Sequence, residues 1–190
     1  MSAILNTDFT LEVFNSSLTY KGHTPAQAFI GERARERKLV SAGTVLWKCT
    51  QFSLVNLSTG SITEWWCSAD DLDATLQRCK NLQISLRRYA RSRLAVRWEW
   101  RNSMDNLLRA RILQPVYAFV GSTKWQNTQF SVDKEETALP ANRLALIGGD
   151  TQYCIPNLTN SHIAELSRTP AERLPAGWQT MKSYVGGRAG

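Results

Sequence analysis

The sequence predicts a single α+β domain with a mixed sheet and two principal helices. Its 190 residues suit one domain, and its 43% hydrophobic content is enough to form a core. Segments rich in strand formers alternate with segments that begin at helix-capping residues. We expect residues 1–168 to form the domain and residues 169–190, which contain two prolines and four glycines, to form an extended or mobile tail.

Strands are predicted where apolar and polar side chains alternate or where strand formers occur in short runs. Residues 9–14 alternate in this way. Residues 45–57 and 61–67 are rich in strand formers and flank a short turn at Gly60, which predicts a β-hairpin. The sequence Gly148-Gly149-Asp150 predicts a tight turn between two further strands. The remaining predicted strands cover residues 116–120, 143–147 and 152–155.

Two principal helices are predicted from their capping residues and charges. The first covers residues 24–40, with Thr24 as the N-cap. The second begins at Ser68, and acidic side chains follow this cap, where the helix dipole favours negative charge. Strand-like alternation over residues 94–101 favours a break near Arg93, although a continued helix would gather the arginines of this segment on one face. Short helices are predicted over residues 102–111 and 159–166.

The charge balance favours an acidic partner. Lysine and arginine total 23 against 16 aspartate and glutamate residues, a formal net charge of +7. Arginine supplies most of this charge, and its planar guanidinium can bind two phosphate oxygens at once. Nucleic acids and nucleotides are therefore candidate partners, while an ordinary solvated basic surface remains the alternative.

The sequence also disfavours several classes of site. The four cysteines have no CxxC or metal-ligand spacing, so we expect buried reduced thiols rather than a structural zinc site. The chain has no Walker A, GxGxxG or GxSxG motif. Its first nine residues do not resemble a signal peptide, and no apolar run is long enough to span a bilayer. We therefore expect a cytoplasmic protein.

A first group of charged candidates lies in the second half of the first predicted helix. Arg33 and Arg37 are four residues apart and share a helical face, so they can hold oxygens of one phosphate or of neighbouring phosphates. Arg35 lies on another side of that helix. Glu32 and Glu36 also share a face and are candidates for cation binding or proton transfer. The alternative is a solvated face stabilised by Glu–Arg pairs.

A second group of arginines surrounds the predicted break near Arg93 and is interleaved with aromatic side chains. Arginines that neutralise phosphates beside aromatic rings that stack on bases are typical of single-stranded nucleic acid binding. The alternative has the tryptophans in the core and the arginines in water. The candidate nucleic-acid-binding residues are Arg87, Arg88, Arg91, Arg97 and Arg101.

The segment Gly31-Glu32-Arg33 resembles the Gly-Glu-Arg-Arg box of the ParB/sulfiredoxin superfamily, with Ala34 in the place of the second arginine. In that superfamily the box contacts nucleotide phosphates. The whole chain resembles the plasmid fertility inhibition factors of the oncogenic suppression (Osa) type in its length, basic composition, tryptophan-rich hairpin and arginine-rich segment. The resemblance implies a ParB/sulfiredoxin-like fold and a nucleotide-binding role for Gly31, Arg33, Arg35 and Arg37.

The same resemblance implies a bacterial cytoplasmic enzyme that binds and hydrolyses ATP, with a divalent cation such as Mg²⁺, and that cleaves DNA. It also implies a role in blocking the export of single-stranded DNA through a type IV secretion system, whose coupling component is a candidate partner. Glu32 and Glu36 are the candidate catalytic residues. Two alternatives remain, a non-catalytic DNA- or protein-binding module that occludes the transfer machinery, and an ADP-ribosyltransferase-like toxin. The toxin alternative comes last because the sequence lacks a Glu-x-Glu pair.

Overall fold

A seven-stranded sheet lies at the centre of the computed structural model, which describes residues 4–55, 62–82, 84–97, 100, 102–128 and 144–171. The strands in chain order are β1 (Glu36–Val40), β2 (Val45–Thr50), β3 (Trp65–Ser68), β4 (Asn106–Ile112), β5 (Val116–Ser122), β6 (Gln126–Thr128), β7 (Leu144–Leu146), β8 (Thr151–Cys154) and β9 (Ile163–Pro170). The order across the large sheet is β1-β5-β8-β3-β2-β4-β9, and β6 pairs with β7 in a separate two-stranded sheet.

The helices are short and begin at capping side chains. Ser68 Oγ accepts a hydrogen bond from Asp70 N at 3.3 Å, and Ser85 Oγ accepts one from Arg88 N at 3.2 Å. Such caps satisfy backbone donors that a helix leaves without intrahelical partners. Turns of 3₁₀ helix occupy Pro25–Ala28, Ile30–Glu32 and Ala69–Asp71. The α-helices of the described residues are α1 (Leu11–Ser16), α2 (Leu72–Leu82) and α3 (Leu86–Arg93).

The predicted α+β class is confirmed, and so is the predicted hairpin. Strand β2 pairs with β3 in antiparallel register, with Leu46 opposite Ser68. The predicted turn at Gly60 lies outside the described residues. The expected mixed sheet is instead antiparallel in every ladder between the strands named above. Within the described chain, parallel pairing is confined to an isolated bridge between Leu5 and Val116.

The predicted helix over residues 24–40 is wrong. Gly31 and Glu32 have φ values of 71° and 57°, and these left-handed conformations end the 3₁₀ turns that precede Arg33. After Arg33 the chain is extended. Arg35 N donates to the carbonyl of Val120 at 2.7 Å, and β1 then pairs with β5. Pairing with a strand about 80 residues away in sequence therefore overrides the local helix signals.

Three other predicted elements differ in type. The predicted strand at residues 9–14 is occupied by α1, which Thr10 caps by accepting a hydrogen bond from Val13 N at 3.1 Å. The segments predicted as helices at residues 102–111 and 159–166 instead contain β4 and the start of β9. These two strands pair with each other along most of their length, which is a contact that local sequence patterns do not report.

The predicted break near Arg93 is confirmed. Helix α3 ends there, and Leu94 N donates to the carbonyl of Ala90 at 2.8 Å at its C-cap. The sequence did not predict the earlier break between α2 and α3, where Ser85 starts a new helix. The long second helix expected from the sequence is therefore two short ones.

The sheet extends beyond the predicted domain boundary at residue 168. Strand β9 continues through Pro170, which pairs with Asn106 at the start of β4, and Ala171 is fully buried. The first residues of the predicted tail therefore belong to the sheet and its core. Residues 172–190 of that tail lie outside the described residues.

Side chains that alternate along the strands divide the core between the two faces of the sheet. Leu46 and Val120 belong to an apolar cluster on one face. The neighbouring strand position Trp47 belongs to a cluster with α2 and α3, which we call the α2/α3 cluster. Phe119 belongs to a further cluster with α1 and Phe29, which we call the α1 cluster. Because Trp47 and Phe119 alternate with Leu46 and Val120, two separate covers share the second face.

Gly148 packs closely against the backbone of neighbouring segments near the end of α3 and the end of β5. It has a φ of 67°, and its N–H donates to the carbonyl of Ser92 at 2.9 Å. It does not form the predicted hairpin turn, because β7 and β8 belong to different sheets. A Cβ atom at this position would lie 2.6 Å from the carbonyl oxygen of Thr123, so only glycine fits without a shift of the backbone.

We expect Gly148→Ala to lower the free energy of unfolding by about 2 kcal/mol more than Gly22→Ala does. Gly22 also has a positive φ, of 80°, but a Cβ atom there would meet nothing within 4 Å. Both variants therefore carry the conformational strain, and only Gly148→Ala carries the clash. Urea denaturation of the two variants measures the difference, and equal losses would contradict a steric requirement at Gly148.

Candidate ligand-binding site

A cavity of about 500 Å³ lies where the two covers of the sheet meet, and we call it the seam cavity. Leu94 and Met104 of the α2/α3 cluster line one side. Trp65, which packs against the α1 cluster, lines the other side. The volume falls in the range of about 300–1,000 Å³ that is typical of small-molecule sites. The cavity is therefore large enough to hold a ligand of the size of a nucleotide.

Strands of the large sheet supply the base of the seam cavity. Cys49, Trp65 and Gln152 come from β2, β3 and β8, and all three belong to the sheet face that carries the helices. Cys49 and Gln152 are buried, whereas Trp65 is half-buried. The indole ring of Trp65 packs edge-on against Phe29 with 5.6 Å between ring centroids. The strands thus hold an aromatic ring and an amide at fixed positions beside the cavity.

The segment that follows α3 forms one wall, and the buried side chain of Arg91 holds it. The guanidinium donates from Nη1 to the carbonyl of Val96 at 3.1 Å and from Nη2 to the carbonyl of Asn102 at 2.7 Å. Arg91 is only 1% exposed. Because Val96, Trp100 and Asn102 all line the cavity, these two bonds fix the shape of the wall. Trp100 remains 55% exposed at the edge.

The opposite wall is built around residues 23–28. Lys124 N donates to the carbonyl of Ala28 at 2.7 Å, which joins this wall to the end of β5. The Lys124 ammonium in turn donates to Glu32 Oε1 at 2.7 Å. His23, Ala28 and Lys124 line the cavity, so one histidine and one ammonium group lie on this side. The predicted phosphate-binding segment that begins at Gly31 is therefore adjacent to the cavity.

A buried carboxylate lies near the same wall. Glu64 is 5% exposed, and it is 3.4 Å from Lys21 Nζ and 3.3 Å from His23 Nε2. Lys48, which also lines the cavity, donates from its amine to the hydroxyl of Thr63. Burial lowers the pKa of Lys48 to about 7, an effect that the carboxylate of Glu64 partly offsets.

A second cavity of about 680 Å³ lies between α2, α3 and the turn before β8, and we call it the α2/α3 cavity. Asp150 accepts hydrogen bonds from Nε and Nη2 of Arg93, each at 2.9 Å. Arg78 donates to the Tyr89 hydroxyl at 3.4 Å. These charged and polar groups already satisfy one another across the cavity. The seam cavity, with more apolar lining and unpaired aromatic surface, is therefore the better candidate for a ligand.

The first predicted group of charged residues does not share a helical face. Arg35 donates to Ser122 Oγ at 2.8 Å, whereas the guanidinium carbon of Arg37 lies 3.4 Å from the centroid of Tyr117. Arg37 also donates to the carbonyls of Asn6 and Thr7. Arg37 is thus engaged within the fold rather than presented to a phosphate. Because the chain is extended here, residues four apart do not form the predicted helical pair.

The remaining members of this group are exposed. Gly31, Arg33 and Glu36 are all accessible to solvent, and Glu32 is paired with Lys124. The helical face that was expected to bring Glu32 and Glu36 together is absent, because Glu32 ends a 3₁₀ turn and Glu36 begins β1. Their cation-binding or catalytic role stays a prediction. Within the described part of the chain, no group of three or more histidine, cysteine, aspartate or glutamate residues is arranged to hold a metal ion. A divalent cation such as Mg²⁺ stays a prediction.

The second predicted group is divided between different roles. Arg87 donates to Asp105 Oδ1 at 2.9 Å, and Arg88 and Arg97 are half-buried. Arg91 is inside the fold, so the prediction that it binds nucleic acid is wrong. Its guanidinium donates to main-chain carbonyls instead of facing solvent. Arg101 lies outside the described residues.

Sequence reasoning missed three residues of the seam cavity, Lys48, Lys124 and Gln152. The signal for Lys48 was present, because it interrupts a run of apolar strand formers in the predicted hairpin. A charged residue at such a position must either leave the core or be buried with special partners. No comparable signal marks Lys124 and Gln152, because their positions depend on pairing between distant strands.

Comparisons with known proteins leave the family undecided. No protein-family model matches the chain, and no curated protein matches it. The chain is similar to one chain in the solved structure of Rhs1-CT in complex with its cognate immunity protein RhsI1, with 14% identity and a TM-score of 0.41. The match covers 71% of this chain and 80% of that chain. At this TM-score the likeness carries no argument about function.

The resemblance to fertility inhibition factors therefore remains a prediction, together with the ParB/sulfiredoxin-like topology, ATP hydrolysis and DNA cleavage that it implies. One coarser expectation is consistent with the structure. None of the helices in the described part of the chain combines the length and apolar character needed to cross a membrane.

We expect Lys48→Met to remove a pH dependence from the free energy of unfolding between pH 7.0 and 8.5. The unfolded chain keeps this amine protonated there, whereas the folded chain releases the proton above a pKa of about 7. Folding stability of the native sequence should therefore rise with pH, by up to about 1.4 kcal/mol per pH unit more than that of Lys48→Met. Urea denaturation at several pH values measures both slopes.

Lys38→Met is the matched control, because hydrogen bonding to Tyr153 raises the pKa of the exposed Lys38 amine and keeps it charged over this range. The pH range ends at 8.5 because of the four cysteine thiols. Burial raises the pKa of the Cys79 thiol to about 12, and it also raises the pKa of each of the other three thiols. Above about pH 9 the thiols ionise only in the unfolded chain, which lowers stability. Parallel slopes for the native sequence and Lys48→Met would show that Lys48 is charged in the folded protein throughout.

Proposed function

We propose that this protein binds a nucleotide, with ATP as the first candidate, in the seam cavity. The observation that carries the proposal is the combination of aromatic rings and an amide on one side with a histidine and a lysine on the other. Trp65, Trp100 and Gln152 belong to the first set, and His23 and Lys124 belong to the second. A nucleotide has the same division between a flat aromatic base and an anionic phosphate chain.

The aromatic side of the cavity suits a base. Trp100 is 55% exposed, and Trp65 is half-buried against Phe29, so both offer ring surface that the core does not cover. Stacking of a base on an aromatic side chain contributes about 1–3 kcal/mol. The buried amide of Gln152 offers both a donor and an acceptor, which is what recognition of a base edge requires.

The cationic side suits phosphates. The Lys124–Glu32 ion pair is exposed, with 33% and 57% of the two side chains accessible, and exposed pairs contribute little to stability. Lys124 can therefore exchange its carboxylate partner for a phosphate oxygen at small cost. Arg33 is exposed one residue after Glu32, within the segment that resembles a nucleotide-binding box. In this arrangement Glu32 orients Lys124 until a phosphate takes its place.

We further propose, from the sequence resemblance alone, that nucleotide binding serves the inhibition of DNA transfer through a type IV secretion system. ATP hydrolysis and DNA cleavage are part of that resemblance, with Glu32 and Glu36 as candidate catalytic residues. The alternative of a non-catalytic module needs the same cavity and no bond breaking. Release of phosphate from ATP by pure protein, lost in Glu36→Gln, would separate the two.

We expect Trp100→Ala to weaken ATP binding roughly tenfold, since it removes one stacking surface. Isothermal titration calorimetry measures the affinity directly. Trp125→Ala is the matched control, because Trp125 is also exposed, at 58%, and is not part of the cavity lining. Equal affinities for all three proteins, or no binding of ATP to the native sequence, would contradict the proposal.

Lys124→Met should weaken ATP binding while leaving adenosine binding unchanged, because Lys124 is assigned to the phosphates. Lys38→Met, on the opposite face of the sheet, should change neither affinity. The loss for ATP should also shrink as salt is added, since screening weakens contacts with exposed charges. Equal weakening of ATP and adenosine by Lys124→Met would mean that Lys124 supports the fold of the cavity and not the phosphates.

A further inference from the structure

The α2/α3 cavity contains an arginine whose guanidinium keeps most of its hydrogen-bond donors for a ligand. Arg78 is exposed, and within the described part of the chain its guanidinium makes a single long hydrogen bond, to the Tyr89 hydroxyl at 3.4 Å. Arg93 on the neighbouring wall differs, because Asp150 accepts hydrogen bonds from two of its nitrogens. A guanidinium has five N–H donors, so Arg78 retains several.

Helix α2 presents this arginine to the cavity beside an apolar neighbour. Leu82 is one helical turn beyond Arg78 and is 59% exposed. Asp71 lies in the opposite direction, about 10 Å from Arg78 along the helix axis. The lining residues that share this face of α2 and of the turn before it are Asp71, Thr75, Arg78 and Leu82.

Tyr89 adds a second donor next to the guanidinium. The residue is 4% exposed, so its ring is fixed within the α2/α3 cluster, and its hydroxyl is in contact with Arg78. Burial raises the pKa of this hydroxyl, which therefore keeps its proton at neutral pH. Because it accepts a hydrogen bond from Arg78, the hydroxyl can donate that proton to a ligand. Arg78 and Tyr89 together suit an oxygen anion.

Apolar side chains form much of the remaining lining. Trp47 and Leu94 are buried, at 2% and 7% exposed, whereas Leu82 and Ile147 are 59% and 62% exposed. A ligand with an apolar body removes this exposed surface from water, which is favourable by about 25 cal/mol for each Å² covered. The cavity thus combines an anion site with apolar surface.

We propose that the α2/α3 cavity binds a small organic monocarboxylate with an apolar body. The carboxylate accepts hydrogen bonds from Arg78 and from the Tyr89 hydroxyl, and the apolar body lies against Leu82 and Ile147. The site is distinct from the seam cavity, although Leu94 lines both, and it does not depend on nucleotide binding.

The charges of the lining favour a carboxylate over a phosphate. Asp71 and Asp150 balance Arg78 and Arg93, so the charged side chains of the cavity sum to zero. A bound monocarboxylate leaves a net charge of −1, whereas a phosphate monoester would leave about −2. A planar guanidinium also matches a carboxylate, because two parallel N–H donors can bind its two oxygens.

The test is isothermal titration calorimetry of the native protein with three probes that carry the same phenyl ring. The probes are 4-phenylbutyrate, the uncharged 4-phenylbutyramide and the dianionic 3-phenylpropyl phosphate. We expect 4-phenylbutyrate to bind roughly tenfold more tightly than the amide, because charge-assisted hydrogen bonds are the stronger kind. We expect the phosphate to bind more weakly than 4-phenylbutyrate.

Arg78→Met should remove this preference, with a roughly tenfold loss of affinity for 4-phenylbutyrate and none for the amide. Arg111→Met is the matched control, because Arg111 is also exposed and is not part of the cavity lining. Tyr89→Phe keeps the buried ring and should weaken 4-phenylbutyrate binding roughly threefold. In ¹³C methyl spectra, 4-phenylbutyrate should shift the resonances of Leu82 and Ile147.

Three outcomes would overturn the proposal. The first is equal affinity of the native protein for 4-phenylbutyrate and its amide, or no saturable binding of 4-phenylbutyrate up to about 10 mM. The second is unchanged affinity in a folded Arg78→Met variant. The third is tighter binding of 3-phenylpropyl phosphate, or shifts confined to Ala95 and Val96, which line the seam cavity instead.

Discussion

The buried guanidinium of Arg91 is the contact on which the candidate site depends. It joins α3 to the chain that enters β4, through one bond to Val96 and one to Asn102. A buried charge is stable only where its donors are satisfied, and here the satisfied partners are the carbonyls of an irregular segment. Val96, Trp100 and Asn102 of that segment form a wall of the seam cavity. One side chain therefore holds both described ends of this wall in place.

The width of the sheet explains why a cavity forms at all. Seven strands extend across roughly 29 Å at a spacing of about 4.8 Å. Two helices such as α2 and α3, each about 10 Å in diameter, cover only part of that width. The N-terminal segment supplies the rest of the cover through Phe14, whose ring stacks on Phe119 with 4.0 Å between centroids. The two covers pack separately, and the space left between them opens above Cys49, Trp65 and Gln152.

The elements that could be predicted from sequence are those that local chemistry determines. The β2–β3 hairpin follows from strand formers around a turn, and the cap at Ser68 and the end of α3 follow from side chains within a few residues. The predicted helix over residues 24–40 failed because β1 pairs with β5, far along the chain. Arg91 was predicted as a phosphate ligand for a similar reason, since charge alone does not reveal that the fold surrounds it. The cavity itself depends on which distant strands become neighbours, and no local pattern contains that information.

In the proposed complex a nucleotide base lies in the seam cavity, between the strands and the wall that Arg91 holds. The most direct measurement is a set of intermolecular NOEs between ATP and the protein labelled with ¹³C at methyl groups. We expect NOEs from adenine H2 and H8 to the methyl groups of Ala95 and Val96, which line that cavity. NOEs from the same protons to Leu82 and Ile147, which line the α2/α3 cavity instead, would contradict it.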